Sequence, residues 1–124
     1  MDTAVASELL AGIAARDYAL IESCFAPDVE LRALTPHQLR EEHGVAAAVE
    51  RYREWLGSLH EFSVIDCDAV AIADRIRVRY HFHGRDPEKG WQENEHTAYA
   101  EVIGGVIIGL NLSCAGFRPA ERSA

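Results

Sequence analysis

The sequence predicts an α+β domain in which three helices cover one face of a curved antiparallel sheet. Two observations predict this class: up to about residue 56 the apolar residues recur every three or four positions, whereas from about residue 62 they alternate with polar ones. A Gly-Gly pair and polar turns separate the later segments, which is typical of strands joined by hairpins. A sheet with one apolar face needs a cover, and the helices of the first half can supply it.

Two helices are expected before residue 27. Thr3 or Ser7 can cap the first helix, because a hydroxyl oxygen accepts hydrogen bonds from unpaired helix amides. Asp17 is suited to cap a second, shorter helix, and Pro27 ends it because proline cannot continue a helix. The side chains that would face the core recur at helical spacing: Val5, Leu9, Ile13, Tyr18, Ile21 and Phe25.

The middle of the chain is expected to form a short strand, a loop and a third helix. Residues 28–34 alternate apolar and charged side chains, which predicts a strand. Residues 35–44 are polar and include a proline and a glycine, so we expect a loop or a single turn. From about Val45 to Leu56 an apolar stripe with helical spacing predicts the third helix, and Gly57 is a natural stop.

Longer strands are expected in the second half. Residues 62–72 form one, with a bulge near 66–68 and a turn at 73–75. In the next, alternation assigns Ile76, Val78, Tyr80 and Phe82 to one face and Arg75, Arg77, Arg79, His81 and His83 to the other. After a loop at 84–90, strands at 91–103 and 106–115 meet through Gly104 and Gly105, a pair that a two-residue hairpin turn favours.

The composition excludes several classes of protein. With 12 basic and 20 acidic residues among 124, the net charge of −8 repels phosphate backbones and anionic lipid, so we expect neither nucleic acid nor membrane as a partner. No apolar run approaches the roughly 18 residues of a membrane span, and the N-terminus lacks the basic start of a secretion signal. Cys24, Cys67 and Cys114 are too widely spaced for a zinc ribbon or a disulfide framework. We therefore expect a cytoplasmic protein with reduced thiols.

The order of these elements resembles the nuclear transport factor 2-like superfamily, and within it the SnoaL-like and ketosteroid isomerase-like group. The segments that carry the resemblance are RDYALI at 16–21, FAPDVEL at 25–31, Gly44 before the third helix, RIRVRYHFHG at 75–84 and GGVI at 104–107. The resemblance implies a cone-shaped domain with the helices on the concave face of the sheet, a cavity for a small hydrophobic molecule, and a homodimer formed through the outer sheet face. We expect one such domain over residues 1–118 and a frayed tail at 119–124.

The chain departs from this group at the residues that carry out ketosteroid isomerisation. By resemblance, the general base would fall at Ala33, the oxyanion-binding tyrosine near Leu9 and a protonated aspartate near Thr97. An Asp-Arg-Asp arrangement similar to that of limonene-epoxide hydrolases is also missing from the sequence. Any chemistry must therefore use other side chains.

The apolar faces of helices and strands together predict a cavity between them, which is the usual kind of ligand site. The residues expected to bind the substrate are Leu31, Ala33, Trp55, Val78, Phe82, Thr97, Leu110, Leu112 and Cys114. The residues expected to be catalytic are Glu95, Tyr99, Tyr80 and His37.

The strand at 91–103 decides the candidate reaction centre, because neither of its faces is plainly apolar. One face carries Glu95, Thr97 and Tyr99, and the other carries His96, Ala98 and Ala100. The resemblance implies that Glu95 points inward, where burial would raise the pKa of a carboxyl and suit it to acid–base chemistry while Tyr80 or Tyr99 donates to an oxyanion. The alternative is that Glu95 forms a surface ion pair with Arg79 and that both tyrosines are core aromatics.

Three other features have two interpretations each. The cationic stripe from Arg75 to His83 is an anion-binding face or, as we favour, an outer surface in contact with solvent or a second copy. His81, His83 and His96 could bind a metal if they share a face, although we expect no metal site. In the family, the loop that contains His37 lies near the cavity mouth, where a histidine could shuttle protons or be a simple surface residue.

One main hypothesis and two alternatives follow. The main hypothesis is a small-molecule enzyme that carries out acid–base chemistry of the isomerase, cyclase or lyase type on a hydrophobic carbonyl compound, without a cofactor. The first alternative is a non-catalytic binding module for a small apolar ligand. The second is a structural dimeric protein with no closed cavity.

Overall fold

The computed structural model describes residues 2–121, which form three α-helices and a curved, unclosed sheet of mixed strand direction. The helices lie on one face of this sheet, as an α+β domain requires. The elements are α1 (Ala4–Ala15), α2 (Tyr18–Cys24), β1 (Phe25–Leu34), β2 (Leu39–His43), α3 (Val45–Leu56), β3 (His60–Ile72), β4 (Arg75–Asp86), β5 (Gly90–Ile103), β6 (Val106–Cys114) and β7 (Arg118–Pro119).

The strand order in the sheet is β2-β1-β6-β5-β4-β3, and the short β7 pairs with β5. The expected antiparallel arrangement holds for all neighbours except β1 and β6, which are parallel. These two strands are far apart in the chain, so no hairpin forces them to be antiparallel. Their pairing joins the helical half of the chain to the hairpins of the second half.

The helix ends are held by side chains as well as by backbone groups. The carboxylate of Asp17 accepts a hydrogen bond from Leu20 N at 3.1 Å, which confirms the predicted cap of α2. At α1, Thr3 is the N-cap residue but makes no capping bond with its side chain, and Ala4 N donates to Asp2 instead. Arg16 donates to the carbonyls of Leu56 and Leu59, so it satisfies the end of α3.

Part of the segment that we expected to be a loop is the edge strand β2. Its residues pair with β1 from Leu39 opposite Leu34 to His43 opposite Glu30. Both faces of β2 are at least partly exposed to solvent, so its sequence shows no apolar alternation that could reveal a strand. Pairing with the exposed edge of β1 decides its conformation.

The hairpins of the second half confirm the predicted alternation. Ile76, Val78, Tyr80 and Phe82 on β4 are fully buried against the helices. The chain turns between β5 and β6 at Gly104 and Gly105, whose φ angles of 61° and 78° suit the expected two-residue turn. The predicted bulge in β3 is also present, because the register shifts between Val64 and Asp66.

Residues 118–120, where the predicted frayed tail begins, form backbone hydrogen bonds with β5. Arg118–Pro119 pairs with β5, and Ala120 N donates to Trp91 O at 3.0 Å. The backbone polar groups of β5 provide partners there that the polar sequence of the tail does not reveal. Residues 122–124 of the predicted tail lie outside the described residues. No helix among residues 2–121 is long and apolar enough to cross a membrane.

Candidate active site

A chain of hydrogen bonds runs through the core between α3 and the sheet. The hydroxyls of Tyr52 and Tyr80 are 2.8 Å apart, and the Tyr80 hydroxyl lies 2.9 Å from His96 Nδ1. Each of these three residues is fully buried. The pairing of β4 with β5 brings Tyr80 and His96 together, because they lie directly opposite each other in the ladder and opposite residues share a face. Tyr52 reaches Tyr80 from α3.

The hydrogen bonds of this chain are best satisfied in one direction. If Tyr52 donates to Tyr80 and Tyr80 donates to His96 Nδ1, both hydroxyl protons are used and the imidazole carries its proton on Nε2. The reverse direction leaves the Tyr52 hydroxyl proton without an acceptor. His96 Nε2 is buried and has no hydrogen-bond partner among the described residues. The favoured direction therefore leaves one buried N–H donor unused.

Aromatic rings surround the imidazole of His96. Trp55 and Phe82 approach it edge-on, with ring centroids 5.1 and 5.4 Å from that of the imidazole. Because burial disfavours the charged form, the pKa of His96 falls from 6.5 to about 3. Burial likewise raises the pKa of both tyrosine hydroxyls of the chain. All three groups are therefore neutral at pH 7, and His96 offers a neutral donor.

An open cleft of about 530 Å³ lies next to this chain of hydrogen bonds. We call it the end cleft; its lining residues are Thr35, Pro36, His37, Arg40, Trp55, Lys89, Cys114, Ala115, Gly116 and Phe117. Trp55 both lines the end cleft and packs against the His96 ring. Cys114, a second lining residue, lies directly opposite His96 in the β5–β6 ladder. The imidazole is thus one layer of side chains behind the cleft.

Cys114 connects the end cleft to a second buried polar side chain. Asn94 is 1% exposed, and its Nδ2 lies 3.3 Å from Cys114 Sγ. The Asn94 side-chain oxygen also accepts a hydrogen bond from Glu95 N at 2.8 Å. The thiol is therefore held in a fixed position at the cleft wall.

The register that we took from the resemblance for β5 is wrong by one residue. His96, Ala98 and Ala100 are fully buried, whereas Glu95 and Tyr99 lie on the outer face. The turn between β4 and β5 fixes this register by pairing Asp86 with Gly90, and it brings His96 rather than Glu95 opposite Tyr80.

The outer face holds the ion pair that we considered as the alternative for Glu95. Arg79 Nη1 lies 3.1 Å from Glu95 Oε1, and the same guanidinium bonds Asp66 and Asp68. The Glu95 side chain is 34% exposed. It therefore does not face the interior, nor do Thr97 and Tyr99, which flank it on that face.

The structure brings four of the predicted site residues into or next to one site. His37, Trp55 and Cys114 line the end cleft, and Tyr80 belongs to the buried chain behind it. Of the nine other predicted residues, three lie on the outer face as described above, and six are buried in the core cluster: Leu31, Ala33, Val78, Phe82, Leu110 and Leu112. Aromatic side chains fill much of the space between α3 and the sheet, and the end cleft opens beside them.

The sequence matches the family model of the SnoaL-like domain over residues 6–109. The chain belongs to the SnoaL-like domain family. No curated protein matches it at a significant level.

Solved structures share the fold of this SnoaL-like domain. A Xanthomonas campestris protein of unknown function with a cystatin-like fold has a TM-score of 0.74 at 20% identity, with 94% of this chain and 92% of that chain covered. A candidate polyketide cyclase from Xanthomonas campestris pv. campestris has a TM-score of 0.71 at 18% identity, with 90% and 87% covered. A Catenulispora acidiphila protein with a ketosteroid isomerase-like fold, solved with trimethylamine, has a TM-score of 0.69 at 10% identity, with 87% and 82% covered.

The histidines of this SnoaL-like domain do not form the metal site that their spacing allowed. His96 is inside the cone, whereas His81 is on the outer face next to Glu93. No group of three or more His, Cys, Asp or Glu side chains among residues 2–121 could hold a metal ion. The cationic stripe is not an anion-binding row either, because acids of β3 and β5 pair with its arginines.

The sequence suggests a role for His96 only as a metal ligand, and its place in the buried chain of hydrogen bonds was not predicted. The turn between β4 and β5 contained the signal that could have found it. A three-residue turn at 87–89 pairs Asp86 with Gly90, and each step back along β4 is matched by one step forward along β5. Tyr80 therefore pairs with His96, and paired residues share a face. Because Tyr80 was predicted to be inside, His96 had to be inside as well.

Proposed function

We propose that this SnoaL-like domain is a small-molecule enzyme that binds a partly apolar carbonyl compound in the end cleft. Its reaction is a proton transfer of the isomerase, cyclase or lyase type, performed without a cofactor. The observation that carries the proposal is the unpartnered Nε2 of a neutral, buried imidazole one side-chain layer behind the cleft. Removal of a proton next to a carbonyl creates an oxyanion, and a fixed N–H donor in a dry site stabilises it.

In this proposal His96 is the oxyanion donor and His37 is the general base. A neutral imidazole whose Nδ1 accepts from Tyr80 can donate through Nε2 without becoming charged. His37 lines the same cleft and is exposed, and histidine is the residue that most often transfers protons in enzymes. The indole of Trp55 must move aside for a ligand to reach His96, since it occupies the layer between the cleft and the imidazole.

The experiment that tests the proposal measures proton exchange and does not require the natural substrate. A panel of hydrophobic ketones and β-keto esters is incubated with the protein in D₂O, and exchange at the carbon next to the carbonyl is followed by NMR. We expect catalysed exchange of at least one compound, with the rate reduced about 100-fold or more in His96→Gln and in His37→Gln. Glu95→Gln is the matched control and should retain the rate.

Two results would contradict this assignment. Loss of exchange in Glu95→Gln, with His96→Gln unaffected, would mean that the reaction takes place on the outer face of the sheet. A folded His96→Gln protein with the full rate would remove the oxyanion role. Circular dichroism and thermal melting of each variant establish that it is folded.

A second candidate function is binding without turnover. Two observations favour it: no carboxylate is among the residues that line the end cleft, and His96 itself has no exposed surface. The neighbour solved with trimethylamine contains a small molecule as well. Native mass spectrometry of freshly purified protein that reveals a retained ligand, together with no exchange of any panel compound, would support this second function.

We also infer that the chain is a cytoplasmic homodimer that associates through the outer sheet face. A shallow groove of about 380 Å³ on that face contains Leu34, Leu39 and Tyr99, which are 60%, 46% and 43% exposed. Apolar surface of this kind at a sheet face is typical of an interface. The three cysteines are unpaired, which fits a reducing compartment.

A further inference from the structure

The ion pairs of this acidic protein leave few cations without an acidic partner. Among the arginine and lysine side chains of residues 2–121, Arg16, Arg40 and Lys89 lack an ion pair with a carboxylate. Arg16 donates to two backbone carbonyls and lies over the Phe62 ring, so the fold accounts for it. The other two cations both line the end cleft.

The immediate surroundings of these two cations are neutral or already satisfied. The guanidinium of Arg40 lies beside the Gln38 amide, whose oxygen accepts from Nε at 3.2 Å and from Nη2 at 2.9 Å when the amide is oriented to match. Asp86 and Lys89 interact electrostatically but form no ion pair among the described residues. The Asp86 carboxylate accepts hydrogen bonds from Glu88 N and Lys89 N, at 2.8 and 2.9 Å. Each of these two cations can therefore bind an anion from outside the protein.

The rest of the end cleft is apolar or weakly polar. Trp55, Phe117 and Pro36 provide flat apolar surfaces, and Cys114 provides a thiol. No aspartate or glutamate is among the lining residues. In a chain with a net charge of −8, such a cleft is a local exception to the acidic surface.

We infer that the natural ligand of the end cleft is an anion with an aromatic or aliphatic body, of the carboxylate class. Its charged group binds Arg40 and Lys89 at the rim, and its apolar body lies against Trp55 and Phe117. This inference rests on the proposed function, because it names the class of molecule that reaches His96. Charge-assisted hydrogen bonds to a guanidinium orient a carboxylate more strongly than neutral contacts orient an amide.

The test compares three probes that share one ring system and differ in charge: 2-naphthoate, 2-naphthamide and 2-naphthylmethylammonium. Binding to ¹⁵N-labelled protein is followed by amide shifts and by the indole N–H shift of Trp55, assigned with Trp55→Phe. We expect 2-naphthoate to bind about tenfold more tightly than the amide at low salt, and the ammonium probe most weakly. In Arg40→Gln and Lys89→Gln the preference should fall severalfold.

Arg75→Gln is the matched control, because it changes the net charge equally but removes a cation from the far turn at Asp74. It should leave the preference for the anion unchanged. Equal affinity for the three probes, or a preference for the ammonium probe, would overturn the inference while leaving a ligand site in the end cleft. If no probe moves the Trp55 or Cys114 signals, the end cleft is not a ligand site and the proposed function fails with it. A preference that falls equally in all three variants reflects net charge alone and would also overturn the inference.

Discussion

His96 differs from the other described histidines in being wholly buried, and this burial decides its charge. The imidazole lies among aromatic rings, its Nδ1 is bonded to Tyr80, and burial lowers its pKa to about 3. In the unfolded chain the same group has the ordinary pKa of about 6.5. Between these two values the unfolded chain binds a proton that the folded chain does not bind, so folding becomes less favourable as the pH falls.

This difference predicts a pH-dependent loss of stability that belongs to one residue. The contribution of neutral His96 to the free energy of unfolding is fully present above about pH 6.5 and is lost as the pH falls toward 3. Between pH 7 and pH 5 the linked loss is about 2 kcal/mol. Urea unfolding at both pH values measures this loss for the wild type and for His96→Gln. Between pH 7 and pH 5 the free energy of unfolding should fall by about 2 kcal/mol more in the wild type than in His96→Gln. His60→Gln, which removes an exposed histidine, is the control and should unfold with the pH dependence of the wild type.

The direction of the hydrogen-bond chain predicts unequal effects for the two tyrosines. Tyr80→Phe leaves the Tyr52 hydroxyl without an acceptor and His96 Nδ1 without a donor, and each buried unpaired group costs about 1–3 kcal/mol. Tyr52→Phe leaves the bond from Tyr80 to His96 intact and should cost less than about 1.5 kcal/mol. Chemical denaturation of both variants measures the difference. A cost of about 1–3 kcal/mol for Tyr52→Phe would mean that the hydrogen bonds run in the opposite direction, because this variant would then leave the buried Tyr80 hydroxyl proton without an acceptor.

At the scale of elements, the end cleft depends on two connecting segments that touch each other. Gly116 has a φ of +92°, and a Cβ atom at this position would lie 2.7 Å from Pro36 Cγ. The segment after β6 therefore packs directly on the segment between β1 and β2. The proline ring is rigid and cannot give way cheaply, so the contact fixes the width of the cleft at this point.

Gly116→Ala should consequently disturb both stability and the cleft. We expect about 1 kcal/mol from the unfavourable backbone conformation and a further 1–3 kcal/mol, roughly, from the overpacked contact. Gly90→Ala is the matched control, since Gly90 has a φ of +79° and open space around its Cβ position. Thermal unfolding should therefore show a larger loss for Gly116→Ala. Equal losses in the two variants would show that the contact with Pro36 does not constrain the segment.

At the scale of the whole molecule, the two faces of the sheet carry different physical roles. The inner face is apolar and holds the buried chain, whereas the outer face joins the arginines of β4 to acids of β3 and β5. These pairs neutralise the charge of the stripe in the middle of the sheet. Leu34 of β1, Leu39 of β2 and Tyr99 of β5 are exposed beside it and line the apolar groove.

This distribution predicts which outer residues hold the proposed dimer together. Leu34→Glu and Tyr99→Glu introduce acids into the apolar groove and should convert a dimer into a monomer, because a buried unpaired charge is strongly unfavourable. Ala11→Glu adds the same charge on the exposed side of α1 and should leave the dimer intact. Sedimentation velocity measures the change against the chain mass of 13.7 kDa. A wild-type protein that sediments as a monomer at all concentrations would contradict the dimer.

The class of the fold and most of its elements follow from local patterns in the chain. Helical spacing, the Asp17 cap and the alternation along β4 depend on neighbouring residues, so they are readable from the chain. β2 was missed because the edge of β1, rather than any local pattern, holds it in place.

The candidate site, in contrast, depends on how distant segments pack against one another. The two faces of β5 are similarly polar in sequence, and only the register against β4 turns His96 inward and Glu95 outward. The end cleft combines segments that are distant in the chain, including those of His37, Trp55, Lys89 and Cys114. These segments come together only through packing of the whole domain, so the spacing of residues along the chain does not predict the cleft.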